Sequence, residues 1–142
     1  MILREVQRRG QLFSCLASLF YNVGNLKYTE KCYICYVKLV EENYGIGSIE
    51  VSNCYFLLGV FYLENLYLKK SMACFKRAST VRLRHYGPEH TSVADCYFNI
   101  GIVMKLAGRA AEAKDWLLNA LSIRLVQTGE RNIHIAKVPI QS

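Results

Sequence analysis

The stretch Cys54-Tyr-Phe-Leu-Leu-Gly59 recurs as Cys96-Tyr-Phe-Asn-Ile-Gly101, at a distance of 42 residues. The same offset relates Tyr44-Gly45 to Tyr86-Gly87 and to Thr128-Gly129. Several independent matches at one offset mark an internal repeat, which is the sequence signature of an array of similar structural units. We therefore expect the fold to be set by a unit of 42 residues that occurs three times.

Within each unit, apolar residues recur every three or four positions in two segments that a short turn separates, which predicts two amphipathic helices. The first helices are expected at about 3–22, 49–63 and 91–106, and the second helices at about 27–42, 68–84 and 110–127. Gly24 and Gly108 stand at predicted helix ends, where a residue without Cβ adopts the left-handed conformation without steric cost. The pattern predicts an all-α chain.

The composition agrees with this prediction. Of 142 residues, 52% are apolar and only two are proline, which is too apolar for a disordered chain and too poor in breakers for an all-β fold. The formal net charge of +7 favours an acidic partner over a basic one.

The cysteines and the N-terminal segment indicate a cytoplasmic protein. All six cysteines lie in apolar helical stretches and are interpreted as reduced core thiols: Cys15, Cys32, Cys35, Cys54, Cys74 and Cys96. No apolar run reaches the length that spans a bilayer, so no membrane association is expected. The basic and apolar N-terminus lacks a small-residue cleavage site, and Glu5 interrupts its basic part, which argues against a targeting signal.

Small and aromatic residues at fixed places in each unit resemble the tetratricopeptide motif, in which small residues stand where two helices touch. The positions concerned are Ala17, Phe20, Gly24, Thr29, Tyr33 and Tyr36 in the first unit, Gly59, Tyr62, Leu66, Ser71, Phe75 and Ala78 in the second, and Gly101, Met104, Gly108, Ala113, Leu117 and Ala120 in the third. Two departures stand out, because Leu66 replaces the turn glycine and Tyr36 replaces the usual alanine. The larger side chain of Tyr36 is expected to hold the first two helices further apart.

The 42-residue spacing and the phrase YGPEHTSVA at 86–94 resemble the repeats of kinesin light chains, and are similar to repeats of ciliary and scaffold proteins. The resemblance implies an α-solenoid of antiparallel helix pairs, formed by three tetratricopeptide units and a partial fourth helix. We expect a single domain over residues 1–142, with units at about 10–43, 52–85 and 94–127 and the partial C-terminal helix at about 133–138.

In this family the first helix of each pair lines a concave groove that receives a peptide or a helix. The resemblance places Gln11, Asn53, Asp95 and Asn99 there, together with Cys15 and Leu57. The basic clamp by which some members hold a C-terminal carboxylate has no counterpart at these positions, which argues against the binding of chaperone tails. The amide of Asn99 is a candidate for contact with a ligand backbone.

A basic cluster follows the second turn. At 100° per residue, its members fall within one arc of about 120° on a helix: Lys69, Lys70, Lys76, Arg77 and Arg84. Two interpretations are open at this point. The cluster is either a solvated outer face or a convex surface that meets an acidic partner.

No motif predicts catalysis, a metal or a cofactor. Cys32-x-x-Cys35 is the only metal-like spacing, and a structural zinc site needs two further ligands nearby. Nucleophile, zinc-protease and phosphate-loop motifs are missing from the sequence. We therefore expect a chain that is not an enzyme.

The sequence as a whole predicts a protein–protein interaction scaffold or adaptor that holds a peptide or helix in its groove and presents a basic outer face to an acidic partner. The resemblance suggests a cytoskeletal or ciliary assembly, since microtubule surfaces are acidic. The alternative is a helical-repeat RNA-binding protein. The aromatic residues follow the repeat and not the basic arc, which argues against nucleic acid.

Overall fold

Six helices account for almost all of residues 2–129, which are the residues that the computed structural model describes. They are α1 (Ile2–Asn22), α2 (Leu26–Tyr44), α3 (Ile49–Glu64), α4 (Leu68–Tyr86), α5 (Thr91–Leu106) and α6 (Ala110–Thr128). Each boundary agrees to within two residues with the bounds predicted from the sequence, and the described residues include no strand. The predicted partial helix at 133–138 lies outside the described residues.

The chain divides into two compact units, Met1–Val81 and Arg82–Ser142. From here on, the first unit and the second unit are these two, and the three 42-residue segments are called repeats. The first contains α1, α2, α3 and most of α4. The described part of the second contains the end of α4 together with α5 and α6.

Helix pairs are held together where a small residue of the first helix faces a large residue of the second. In the first unit, a Cβ atom added to Gly59 of α3 would lie 2.9 Å from the Phe75 ring of α4. In the second unit, a Cβ atom on Gly101 of α5 would lie 2.7 Å from Cγ of Leu117 in α6. These two contacts stand one repeat apart, so the close approach of the helices follows the 42-residue register.

The motif positions that should be small are buried as the resemblance implied. Ala17, Thr29, Ser71 and Ala78 have no exposed surface, and the side-chain hydroxyl of Ser71 donates a hydrogen bond of 2.9 Å to the carbonyl of Gly59. This bond satisfies a hydroxyl that would otherwise be costly to bury.

Tyr36 occupies the motif position where alanine is usual, and its ring lies over Gly10 of α1. A Cβ atom on Gly10 would be 2.8 Å from Cε1 of Tyr36. The sequence predicts that this tyrosine holds α1 and α2 further apart, and it does not indicate that Gly10 faces the ring. The glycine gives the ring space against the backbone of α1.

The turns inside the three pairs share one conformation. Gly24 and Gly108 have φ angles of +81° and +82°, and Leu66, at the equivalent place, has a φ of +64°. A side chain with Cβ pays a steric cost of about 1–2 kcal/mol in this region. The repeat therefore imposes a glycine conformation on a leucine.

An apolar cluster joins α2 to α3 in the first unit. Val37 and Val40 of α2 and Cys54, Leu58 and Phe61 of α3 all belong to it and are at most 5% exposed. The Phe61 ring contacts Tyr21 and Tyr33, with ring centroids 5.9 and 5.7 Å apart. Successive pairs in this unit thus share one continuous apolar interior.

Candidate functional site

An open cleft of about 530 Å³ lies in the first unit, between the first half of α1, the second half of α2 and the start of α3. Two of the residues predicted for the groove, Gln11 and Asn53, line it together. They come from different helices, and both are exposed. The structure therefore brings together two residues that stand one repeat apart in the sequence.

The cleft has an apolar floor and a polar rim. Val6, Tyr36 and Val40 form much of the floor, and the buried Gly10 lets the Tyr36 ring approach α1. The rim carries amide, hydroxyl and carboxylate groups from Gln7, Gln11, Ser14, Glu50 and Asn53. Such an arrangement can bury the apolar side chains of a ligand while its backbone meets hydrogen-bonding groups.

The charge of the cleft comes from Glu50. Burial raises the pKa of the Tyr36 hydroxyl above its ordinary value, so this floor residue is neutral at physiological pH. Burial also raises the pKa of the neighbouring Cys54 thiol to about 11. None of the lining residues is basic. The cleft therefore fits a neutral or basic segment better than an acidic one.

The other two predicted groove residues, Asp95 and Asn99, lie together on α5 in the second unit. The carboxylate of Asp95 accepts a hydrogen bond of 2.8 Å from Arg124 of α6. The side-chain amide of Asn99 donates to the backbone carbonyl of Asp95, also at 2.8 Å. Both side chains thus have intramolecular partners with which a ligand would have to compete.

The basic cluster is exposed along α4, with Lys69, Lys70, Lys76 and Arg77 in the first unit and Arg84 in the second. Two members form ion pairs with α2. Lys70 lies 3.2 Å from the Glu30 carboxylate, and Arg77 lies 3.5 Å from that of Glu41.

The same two cations cover tyrosine rings. Lys70 Nζ lies 5.4 Å from the centre of the Tyr62 ring, and the Arg77 guanidinium lies 4.7 Å from that of Tyr55. The sequence does not predict that Glu30 and Glu41 pair with these cations, although both are acidic residues on α2 in a basic chain. Their carboxylates neutralise part of the positive charge that the sequence predicts to face an acidic partner.

Glu30 is the centre of this network. Its carboxylate accepts a hydrogen bond of 2.6 Å from the Tyr62 hydroxyl, which lowers the pKa of Glu30, with a further contribution from Lys70. The bond joins the N-terminal part of α2 to the end of α3. This part of the cluster therefore fastens helices together in the first unit.

Arg82 lies in the same stretch of α4 but is only 7% exposed. In the second unit its guanidinium donates to the carbonyl of Ser92 at 2.9 Å and to the thiol sulfur of Cys96 at 3.4 Å. It ties the end of α4 to α5. Its charge is therefore withdrawn from the surface.

The cysteines are free thiols, of which Cys54, Cys74 and Cys96 are buried. The interpretation of all six as core residues is wrong for Cys15 and Cys35, which are exposed. Within residues 2–129, no three side chains of His, Cys, Asp or Glu gather in a geometry that could hold a metal ion. Among the described helices, none combines the length and the apolar character needed to cross a membrane.

The helix pairs, their small-to-large contacts and the repeated turns define the all-α fold of tetratricopeptide-like repeat proteins. Comparison with solved structures shows the same class. BtubC (BKLC) from P. vanneervenii superposes with a TM-score of 0.76 at 24% identity, over 84% of this chain. A Podosopora anserina protein described as a kinesin light chain with nearly identical TPR-like repeats superposes with a TM-score of 0.70 at 13% identity, over 87%.

The chain spans about half the length of these two structures, at 48% and 56%. No protein-family model matches the sequence. No curated protein matches it either. At these identities the likeness establishes the kind of repeat and leaves the ligand to be argued from the residues.

Proposed function

We propose that the chain is a non-catalytic adaptor that holds an extended peptide or a helix in the cleft of its first unit. The observation that carries the proposal is the joint presence of Gln11 and Asn53 on the rim of an open cleft of about 530 Å³ with an apolar floor. Side-chain amides can both donate to and accept from a peptide backbone. The cleft is large enough for a few side chains of a ligand.

The ligand segment that fits best is apolar with a hydrogen-bond donor or a basic group. Val6, Tyr36 and Val40 offer apolar contact, and the Glu50 carboxylate accepts from a donor. The exposed cations of α4 would serve a different purpose. Lys69 and Lys76, which form no ion pair within the described residues, would steer an acidic part of the same partner towards the chain.

A cytoskeletal or ciliary assembly is our proposed source of the partner, in line with the likeness to a structure described as a kinesin light chain. RNA binding is the weaker alternative. Lys70 and Arg77 are paired with carboxylates, and they cover the rings of Tyr62 and Tyr55 on which bases would stack. Binding of homopolymeric RNA at low salt would favour the alternative.

The test is selection of ligands from a displayed library of random peptides, followed by affinity measurement with variants. In the double variant Gln11→Ala and Asn53→Ala, the selected peptide should bind roughly tenfold more weakly or worse, because each lost hydrogen bond contributes about 1 kcal/mol. Asn119→Ala, an exposed asparagine on α6, is the matched control and should bind normally. Equal affinity of the double variant and the wild type would show that the peptide does not bind in the cleft and would contradict the proposal.

A further inference from the structure

The outer side of α1 carries three exposed leucines on one stripe. Leu12, Leu16 and Leu19 are 63%, 42% and 61% exposed. At 100° per residue they fall within an arc of about 60°. We call this stripe the α1 face. Exposed apolar stripes of this kind mark interaction surfaces more often than isolated apolar residues do.

The repeat register tells what such a stripe does elsewhere in the chain. One repeat later, these positions are Cys54, Leu58 and Phe61 of α3. All three are at most 5% exposed and belong to the apolar cluster that α3 forms with α2. The α1 face is thus the equivalent of a surface that docks on the preceding helix pair.

A second apolar surface lies in the second unit, where the end of α5 and the first half of α6 form a groove of about 340 Å³. Its lining is apolar apart from two lysines and consists of Lys105, Ala110, Ala113, Lys114, Leu117, Leu118 and Leu121. We call it the α5–α6 groove. Lys105 and Lys114 are exposed, and neither forms an ion pair within the described residues.

Two repeats earlier, the positions of this groove belong to the surface that receives α3. The counterparts of Lys105, Ala110, Leu117, Leu118 and Leu121 are Tyr21, Leu26, Tyr33, Ile34 and Val37. All five counterparts are part of the apolar cluster of α2 and α3 or pack against it. The α5–α6 groove is thus the equivalent of a surface on which a following helix docks.

The α1 face and the α5–α6 groove therefore correspond to the two sides of one contact that the chain already forms between α2 and α3. We propose that the chain associates head to tail with a second copy of itself, the α1 face of one copy docking in the α5–α6 groove of the next. The intermolecular contact would continue the internal stacking of helix pairs. Within residues 2–129, no helix covers the α1 face or the α5–α6 groove, whereas a helix packs against each of their counterparts in the contact between α2 and α3.

The symmetry of such a contact sets its outcome. Two different surfaces meet, so the contact is heterologous and leaves one unfilled surface of each kind at the ends of an oligomer until a ring closes.

Association should also strengthen as salt rises. The contact is apolar, whereas each chain carries a formal charge of +7 whose repulsion salt screens.

The test uses the full chain in sedimentation velocity over a range of concentrations. Wild type should form dimers and larger species. The α1-face variant, Leu16→Gln with Leu19→Gln, and the groove variant, Leu118→Gln, should each be monomeric. An equimolar mixture of the two should form dimers and nothing larger, because each variant supplies the surface that the other lacks.

Two controls accompany the test. Leu57→Gln changes a leucine of α3 that is 41% exposed, nearly the same as Leu16, and should associate as wild type does. If Leu118→Gln loses its helical circular dichroism, Ala110→Gln at the exposed edge of the groove replaces it. These sites are separate from Gln11 and Asn53, so failure of self-association leaves the peptide-binding proposal standing.

A chain that stays monomeric at the highest soluble concentration overturns the proposal, whether the groove is then covered by residues 133–138 or by another protein. Dimers in the groove variant alone would show that two α1 faces meet each other, which also overturns it. Dimers in the α1-face variant alone would overturn it in favour of a groove-to-groove contact.

Discussion

Replacement of Gly101 by alanine should destabilise the second unit, and the structure supplies the magnitude. The new Cβ would lie 2.7 Å from both Cγ and Cδ2 of Leu117, well inside van der Waals contact. Relief of this clash by side-chain and backbone shifts costs about 1–3 kcal/mol. Alanine gains about 0.5–1 kcal/mol over glycine inside a helix. The net loss in the free energy of unfolding should be about 1–2 kcal/mol.

The sign of this effect should reverse when the clashing atoms are removed. Leu117→Ala alone should cost about 1–2 kcal/mol, because a half-buried leucine loses its apolar contacts. In that background Gly101→Ala meets Ala113 O at 3.4 Å as its nearest remaining contact, which it tolerates. There it should stabilise by about 0.5–1 kcal/mol through helix propensity.

Urea unfolding of the wild type, of Gly101→Ala, of Leu117→Ala and of the double variant measures the coupling between the two substitutions. Trp116, the only tryptophan, lies 5.2 Å from the Tyr97 ring, and its fluorescence reports on the second unit. The single Gly101→Ala variant should lower the midpoint by roughly 0.5–1 M, given m values of about 1–3 kcal/mol/M. Equal destabilisation by Gly101→Ala in both backgrounds would refute the close approach of α5 and α6 at this residue.

Two further predictions concern the first unit, and a third concerns cysteines of both units. Leu66→Gly should stabilise the first unit by about 0.5–1 kcal/mol in thermal unfolding, because relief of left-handed strain exceeds the added chain entropy; a lower midpoint would contradict this. Glu30→Gln should destabilise it by about 1 kcal/mol at neutral pH through the bond to Tyr62. Since folding lowers the pKa of Glu30, this difference should be complete above about pH 4.5 and vanish as the pH falls through the folded pKa, and a difference that grows in acid would be inconsistent with it. Iodoacetamide should label the native chain fast at two exposed thiols and slowly at three buried ones, whereas uniform rates would argue against the packing: the fast thiols are Cys15 and Cys35, and the slow ones are Cys54, Cys74 and Cys96.

The repeat made the helices predictable from the sequence, because matches 42 residues apart fix both the repeat length and the positions of the turns. Gly59 and Gly101 could be recognised as contact residues since their neighbours repeat with them. Gly10 could not, because its counterparts are Ser52 and Ala94 and its large partner, Tyr36, has the small Ala78 and Ala120 as counterparts. Only the geometry shows that the tyrosine and the glycine compensate for each other.

Part of the candidate site was also within reach of the sequence. The resemblance put Gln11 and Asn53 on first helices, and their spacing of one repeat placed them on neighbouring ones. The ion pairs of Lys70 and Arg77 were not within reach, since Glu30 and Glu41 lie far away in the chain and follow no repeat. The charges along a helix show which ion pairs it could form, and only the position of the neighbouring helix shows which of these pairs do form.

The measurement that tests the 42-residue register most directly is the nuclear Overhauser effect between the two helices of a pair. We expect strong cross-peaks from the Gly101 α-protons to the Leu117 methyl groups and from the Gly59 α-protons to the Phe75 ring. The α-protons of Gly24, around which a Cβ atom would meet nothing within 4 Å, should show none to distant side chains. Loss of both predicted sets of cross-peaks in the folded chain would contradict the stacking of two-helix repeats at this spacing.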